Sequence, residues 1–283
     1  MLKGFGTEEE YAENMSAMNQ NYERAVNESD VYVKSRHGVP RGFFACEAAG
    51  LDWLREGEPD GGARVVDVLG VSGHALKLRR IESMAPNPQA AYEFGKSLAI
   101  THNLGAAGWG AGPAEWEGHG YFGPLDQPLQ MDLTPRESFG EYWAKGRLLP
   151  TLGKLENSYN NRQLDIFDQL IDRLLAGDFD NEPDAARVHG DLWWGNLMWD
   201  ADGAILIDPA AHGGAREEDL ALLALFGATH FDEILSGYES VHPVPGFAES
   251  CELHQLYAVL MHAVLFGGGY AGQAAAMAAK YVR

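Results

Sequence analysis

Residues 189–196 read His-Gly-Asp-Leu-Trp-Trp-Gly-Asn, and twelve positions past the asparagine stands Asp208, in the run Ile-Leu-Ile-Asp-Pro-Ala. Asn196 and Asp208 offer an amide carbonyl and a carboxylate. Two oxygen ligands of that kind suit Mg²⁺, which takes few protein ligands and leaves room for substrate phosphates. Asp191 is then left over as a carboxylate that can accept a hydroxyl proton. A catalytic Asp, an Asn a few residues on and a metal-binding Asp at the next strand end divide the labour of kinase-type phosphoryl transfer. The spacing therefore suits ATP-dependent transfer to a hydroxyl.

Such a site also needs a cation over the phosphates, held by a carboxylate on the following helix. Lys34 lies in Val-Tyr-Val-Lys-Ser and Glu47 in the stretch after it. Taken alone the two read as a solvated charge pair; with the 189–208 pattern downstream they read as a phosphate clamp. Asp219, just ahead of an apolar run, reads as a structural group: a helix N-cap, with bracing of the catalytic loop as a further role.

The elements that must position these groups are visible as periodicities. Tyr11, Met15, Met18, Tyr22 and Val26 recur at helical spacing, and so do Phe44, Ala48, Leu51 and Leu54. Residues 30–35 alternate as a strand, and 63–71 with 74–82 form a hairpin turning at Ser-Gly-His. Residues 89–104 and 159–179 are strongly helical, and the Gly-, Pro- and Trp-rich passage 105–136 between them reads as ordered loop. Residues 196–211 form a hairpin with its turn at Asp-Ala-Asp-Gly, which returns Asp208 to Asn196. From Glu217 onward the chain is helical. The expected fold is α+β: a small sheet-containing lobe (1–85), a larger mainly helical lobe (86–283) and a cleft between them. The substrate pocket is expected from the 105–136 passage and the C-terminal helices.

Composition narrows the partners. With 283 residues the chain can bury a substantial core, and its 41 acidic against 21 basic residues give a net charge of −20. That balance argues against nucleic-acid binding through phosphate neutralisation and against a membrane surface. No apolar run approaches the ~20 residues that span a bilayer. The acidic opening segment lacks an apolar signal core, and Cys46 and Cys251 make no disulfide framework. A cytoplasmic protein with reduced thiols is expected.

The sequence resembles the fructosamine (ketosamine) kinases, relatives of the aminoglycoside phosphotransferases. The resemblance rests on "YVKS" with "FFACEAAGLDWL", "GKSLAITHNL", "HGDLWWGN", "LIDPAAHGGAREEDLALLALFG" and "LYAVLMHAVLFGGGYAGQA", from about residue 30 to the C-terminus. It implies a two-lobed protein-kinase-like fold, ATP and Mg²⁺, and a small sugar-amine substrate, glycated lysine included, phosphorylated at the sugar 3-hydroxyl. It assigns Asp191 as base, Asn196 and Asp208 as metal ligands, and Lys34 and Glu47 as the phosphate clamp. Trp193 joins them as an aromatic platform under the sugar, with burial in the core as its other reading.

Trp194 reads as core, and so do His102 and His262 on apolar helical faces. His189 reads as a group ordering the backbone around the metal loop. "FGGGY" (Phe266–Tyr270) lacks the strand and the Lys-Ser/Thr of a phosphate loop and reads as a bend. The front end departs from the pattern: only "KGFG" (residues 3–6) precedes Lys34 with any glycine content, so the small lobe is expected either to have lost a strand or two or to use another phosphate cover. Two other readings stay open: a kinase for another small hydroxylated amine, such as an aminoglycoside or a choline-like compound, and a nucleotide-binding module without turnover.

Overall fold

The computed structural model of the chain describes residues 2–3, 7–22 and 27–282. Strand β1 (Leu2–Lys3) precedes helix α1 (Glu8–Gln20). Thr7 and Glu10 cap that helix reciprocally, each backbone N–H donating to the other's side chain at 2.8 and 3.2 Å. Met15, Met18 and Tyr22 are buried on its predicted face. Val26, and Gly4 to Gly6 of the "KGFG" run, lie outside the described residues.

Strands β2 (Val31–Ser35), β3 (Val68–Ser72) and β4 (Ala75–Arg79) make an antiparallel sheet in the order β2-β4-β3. Between β2 and β3, α2 (Phe43–Arg55) packs on the sheet through Phe44, Ala48, Leu51 and Leu54, the four positions its periodicity marks. Asn19 of α1 pairs with the backbone of Val71 on β3, donating at 2.6 Å and accepting at 2.8 Å. That amide satisfies sheet-edge groups that would otherwise invite strand pairing. Among the described residues no strand pairs with the outer edge of β2, and no hairpin precedes Lys34.

Helix α3 (Pro88–Asn103) opens the helical region. Residues 105–136, expected as loop, instead carry β5 (Trp116–Glu117), β6 (Gly120–Phe122) and β7 (Leu129–Met131). β5 pairs with β1, and β6 with β7 as a hairpin. Strands of two or three residues are too short to express an alternation, so glycine and proline dominated the sequence signal. Next come α4 (Phe139–Glu141), a π-helical stretch (Tyr142–Leu148), α5 (Leu149–Gly153) and α6 (Asn161–Leu175).

The elements that carry the site follow. They are β8 (Ala186–Val188), the hairpin β9 (Leu197–Asp200) and β10 (Gly203–Leu206), and β11 (His212–Gly214), which pairs with β8. Helices α7 (Arg216–Leu225), α8 (Phe231–Glu239), α9 (Phe247–Phe266) and α10 (Tyr270–Ala278) complete the chain. Among the described residues no helix is long and apolar enough to cross a membrane.

Polar contacts lock the sheet region to the helical region around the β9–β10 hairpin. Arg64 forks onto Asp200 at 2.7 and 2.9 Å, and Leu206 and Val66 exchange backbone bonds with Arg64 and Leu206 in turn. Arg187, nearly buried on β8, donates to the Trp53 carbonyl at 2.6 Å and to Glu56 at 2.7 Å, both at the end of α2. A bidentate pair fixes direction as well as distance. These contacts set the end of β10 opposite β2 and α2.

Candidate active site

Three peptide groups after β8 are held so tightly that side-chain choice is dictated. Gly190 has φ +80°, and a Cβ there would lie 2.3 Å from the Ala210 carbonyl oxygen. Only glycine fits both restrictions. The ring of His189, fully buried, accepts the Asp191 N–H at Nδ1 (3.2 Å) and donates from Nε2 to the Ile207 carbonyl (2.8 Å). It thus ties the Asp191 loop to the strand leading to Asp208, the ordering role expected of it. Burial depresses its basicity, which keeps it neutral in this bonding pattern.

Asp219 is not a helix N-cap. That position belongs to Ala215, whose N–H donates to Glu218 at 2.6 Å. Asp219 lies in the first turn of α7 and points inward, accepting the N–H groups of His189 (2.7 Å) and Gly190 (2.9 Å) and facing Nε2 of His102 at 3.1 Å. His102 is fully buried and also bonds Tyr238, as a satisfied core histidine should.

Asp191, Asn196 and Asp208 converge. The Asn196 amide donates to the Asp191 carbonyl (2.8 Å), to an Asp191 carboxylate oxygen (3.1 Å) and to the Asp208 carbonyl (3.4 Å). Its donor capacity is spent inside the loop, and Oδ1 is left as its acceptor. Ile207 donates to the Asn196 carbonyl at 3.1 Å, so the hairpin brings the two segments together as its pairing requires. Asp208 itself has φ +52°, one of two non-glycine residues with positive φ among the described residues. A left-handed aspartate is uncommon, and such conformations cluster at sites where the side chain's aim matters. Burial pushes the Asp191 carboxyl up to about 8, against the Asn196 bond, with Asp208 and Asp219 adding to the rise.

Lys34 stands across the gap on β2. Its ammonium reaches both oxygens of Glu47 at 3.0 and 2.9 Å and Oδ1 of Asp208 at 3.1 Å. Burial works against the ammonium, but Glu47 and Asp208 outweigh it and hold Lys34 above its ordinary value. Glu47, almost fully buried on α2, is pushed up to about 7 by burial despite Lys34, with Asp208 contributing.

These groups share one cavity of about 420 Å³. Lys34, Glu47, Asp208, Asp191, Asn196 and Trp193 all line it. Tyr121, Phe122, Leu125 and Met131 come from the 105–136 passage, and Phe226, His262 and Phe266 from the C-terminal helices. Trp193 is half-buried, its ring over Gly195, where a Cβ would lie 2.3 Å from the indole. Trp194 is not core: it is 56% exposed, edge-on to Trp193. His262 is not core either. It is half-buried on the cavity wall, where the apolar face of α9 opens onto the cavity instead of packing. The sequence marks Phe266 only as the start of a bend and Phe226 not at all, because a helix face lining a pocket has the same apolar period as one lining a core.

The donor set fits a magnesium–triphosphate. Among the described residues no group of three His, Cys, Asp or Glu side chains gathers to hold a metal by itself. What is present is one strained carboxylate, one amide oxygen with its donors spent, and an adjacent ammonium. Mg²⁺ bound through one or two protein oxygens and substrate phosphates needs no more than that.

A family model described as fructosamine kinase matches residues 2–283. "Probable ketoamine kinase VP1481" of Vibrio parahaemolyticus is 33% identical over 236 residues, 82% of this chain and 77% of that protein. Mouse "Ketosamine-3-kinase" is 34% identical over 139 residues, 48% of this chain and 45% of the mouse protein. The crystal structure of a candidate fructosamine-3-kinase from Thermobifida fusca superposes with a TM-score of 0.79 at 38% identity, covering 89% of this chain and 85% of that one. An ADP-bound aminoglycoside phosphotransferase shares the fold alone, with a TM-score of 0.58 at 10% identity over 95% of this chain and 98% of that one.

Proposed function

Since the chain belongs to the fructosamine kinase family, we propose that it is an ATP-dependent kinase that phosphorylates the sugar 3-hydroxyl of a ketosamine. The observation that carries this reading is Lys34, within 3.1 Å of both Glu47 and Asp208 in a cavity that Asp191 and Asn196 also line. We take the lobes to divide at residues 85 and 86, with the cavity in the cleft.

In the proposed reaction Asp191 accepts the hydroxyl proton as the sugar oxygen forms its bond to the γ-phosphorus. The bond from that phosphorus to the bridging oxygen breaks, and ADP leaves. A base whose pKa lies near the working pH is well matched to that transfer. Lys34 would hold phosphate oxygens, with Glu47 fixing its direction. Asn196 Oδ1 and the Asp208 carboxylate would hold the magnesium, which supplies charge neutralisation on the triphosphate. Trp193 offers an indole face beside Asp191 on which the C–H groups of a sugar can lie. Apart from Glu47, Asp191 and Asp208, no described residue lining the cavity is a carboxylate. That composition favours a substrate with one amine over a polycationic aminoglycoside. ATP supply and two unpaired thiols fit work in the cytoplasm, on free ketosamines or on glycated lysine.

The test is incubation with Mg-ATP and a panel of fructosyl- and ribulosyl-amines, with phosphate transfer read by mass and by ³¹P NMR. A 3-phosphorylated ketosamine is the expected product. Transfer only to other hydroxylated amines, or nucleotide binding with no transfer at all, would overturn the reading.

A further inference from the structure

The cavity wall beyond Trp193 is a run of rings with no part in phosphoryl transfer. Trp193 meets Phe226 at 6.0 Å between centroids, Phe226 meets His262 at 5.4 Å, and His262 meets Phe266 at 5.5 Å and Tyr270 at 5.3 Å. The triple glycine between Phe266 and Tyr270 builds this end. Gly267 and Gly268 both have φ +65°, and the reversal they make brings Tyr270 back onto the His262 ring. Phe266 lines the cavity yet is 62% exposed, an aromatic left uncovered at the mouth. His262 donates from Nδ1 to the Ala258 carbonyl at 2.7 Å, which leaves Nε2 as the ring nitrogen that can meet a ligand.

Substrate chemistry gives this wall a direction. With the reacting hydroxyl at Asp191 and the sugar on Trp193, the ketosamine nitrogen lies four bonds from the reacting oxygen, and its substituent extends further. From Trp193 an unbroken run of ring contacts leads over Phe226 and His262 to Phe266. Aromatic faces attract both apolar groups and a neighbouring ammonium. We propose that this wall is the subsite for the nitrogen substituent, selecting ketosamines whose amine carries an apolar or aromatic group, with His262 Nε2 accepting a hydrogen bond from the protonated amine. The inference rests on the ketosamine-kinase reading and adds the class of amine to it.

Kinetics with 1-amino-1-deoxyfructose carrying N-methyl, N-hexyl or N-benzyl tests it. The expected KM falls by about tenfold from N-methyl to N-benzyl, the gain of one well-packed ring, with kcat within about twofold. Phe266→Ala collapses that ratio to about twofold, and Phe266→Leu retains part of it. Phe266 is exposed, so neither variant threatens the core. A KM flat across the series, or a ratio that survives Phe266→Ala, overturns this inference while product formation leaves the kinase reading standing. No product from any of the three overturns both. Quenching of tryptophan fluorescence by the N-benzyl compound in the absence of ATP separates weak binding from failed chemistry: it is expected at lower concentration than with N-methyl, and equal affinities overturn the inference.

Discussion

Asp219 and Gly190 are joined by a 2.9 Å hydrogen bond from backbone to carboxylate, and with the 2.7 Å bond from His189 it suspends the 189–191 loop from a buried carboxylate on α7. Burial alone would raise that carboxyl. The His102 hydrogen bond and the His189 backbone N–H outweigh burial and hold it below the usual carboxylate range. A depressed carboxyl contributes stability that is fully present above its unfolded value, about 3.9, and is lost as the pH falls through the folded one. Asp219→Asn should therefore cost about 3 kcal/mol near pH 7, since an amide NH₂ now faces a backbone donor in a sealed site. The gap between the two proteins should narrow below about pH 4 as the wild type loses its own contribution. Urea melts at pH 7 and pH 3.5 check both signs; a gap that widens toward acid contradicts them.

Lys34 and Glu47 make unequal contributions. Lys34→Met leaves the Glu47 and Asp208 carboxylates facing one another with nothing between them, and removes the only ammonium lining the cavity among the described residues. The expected loss in kcat/KM for ATP is about 10²- to 10³-fold. Glu47→Gln still offers Lys34 an amide oxygen, so about tenfold is expected, mainly in KM for ATP. Steady-state kinetics with saturating ketosamine measures both. Equal losses would mean that Lys34 loses its aim without the Glu47 carboxylate.

What the sequence disclosed, it disclosed through local pattern. Lys34, Glu47, Asp191, Asn196 and Asp208 each sit at a strand end, a helix face or a hairpin end, and hairpin closure alone predicts that residues 196 and 208 meet. The sequence reads a bracing role for Asp219 correctly but not its place, which is no N-cap, because its partners lie thirty residues upstream, at His189, and further still, at His102. A cap and an inward brace look alike in a helix's first turn. Trp194 and His262 were misread for another reason. Hydrophobic period identifies the face of an element that avoids water but not whether protein or ligand will cover it. The π-helical stretch at 142–148, which turns Arg147 wholly inward against Tyr142 and Tyr257, breaks the 3.6-residue period and so carries no readable signal.

Gly195 offers a test of Trp193 that leaves the ring itself in place. A methyl group at 195 would sit 2.3 Å from the indole, which must swing off the loop and into the cavity or out of it. Gly195→Ala should raise KM for the ketosamine by about tenfold, with KM for ATP changed by less than about twofold and stability reduced by about 1 kcal/mol. The ratio of the two KM values is the readout. A change confined to ATP would place the indole on the nucleotide side and end the sugar-platform assignment.

Asp191 gives the sharpest division between binding and chemistry. Its carboxylate touches Asn196 but neither Lys34 nor Glu47 within bonding distance, so its removal leaves the phosphate-side cluster intact. Asp191→Ala should lower kcat by about 10²- to 10⁴-fold, the range for removing a positioned general base. The Kd for ATP should stay within about threefold, or fall, because one negative charge near the triphosphate is gone. Asp191→Asn should be as slow as the alanine variant, since the amide keeps the bond geometry but cannot take a proton. Single-turnover transfer and equilibrium nucleotide binding, measured on the same preparations, separate the two quantities. An asparagine variant with near-normal transfer would mean that the proton leaves by another route and that Asp191 only orients the hydroxyl.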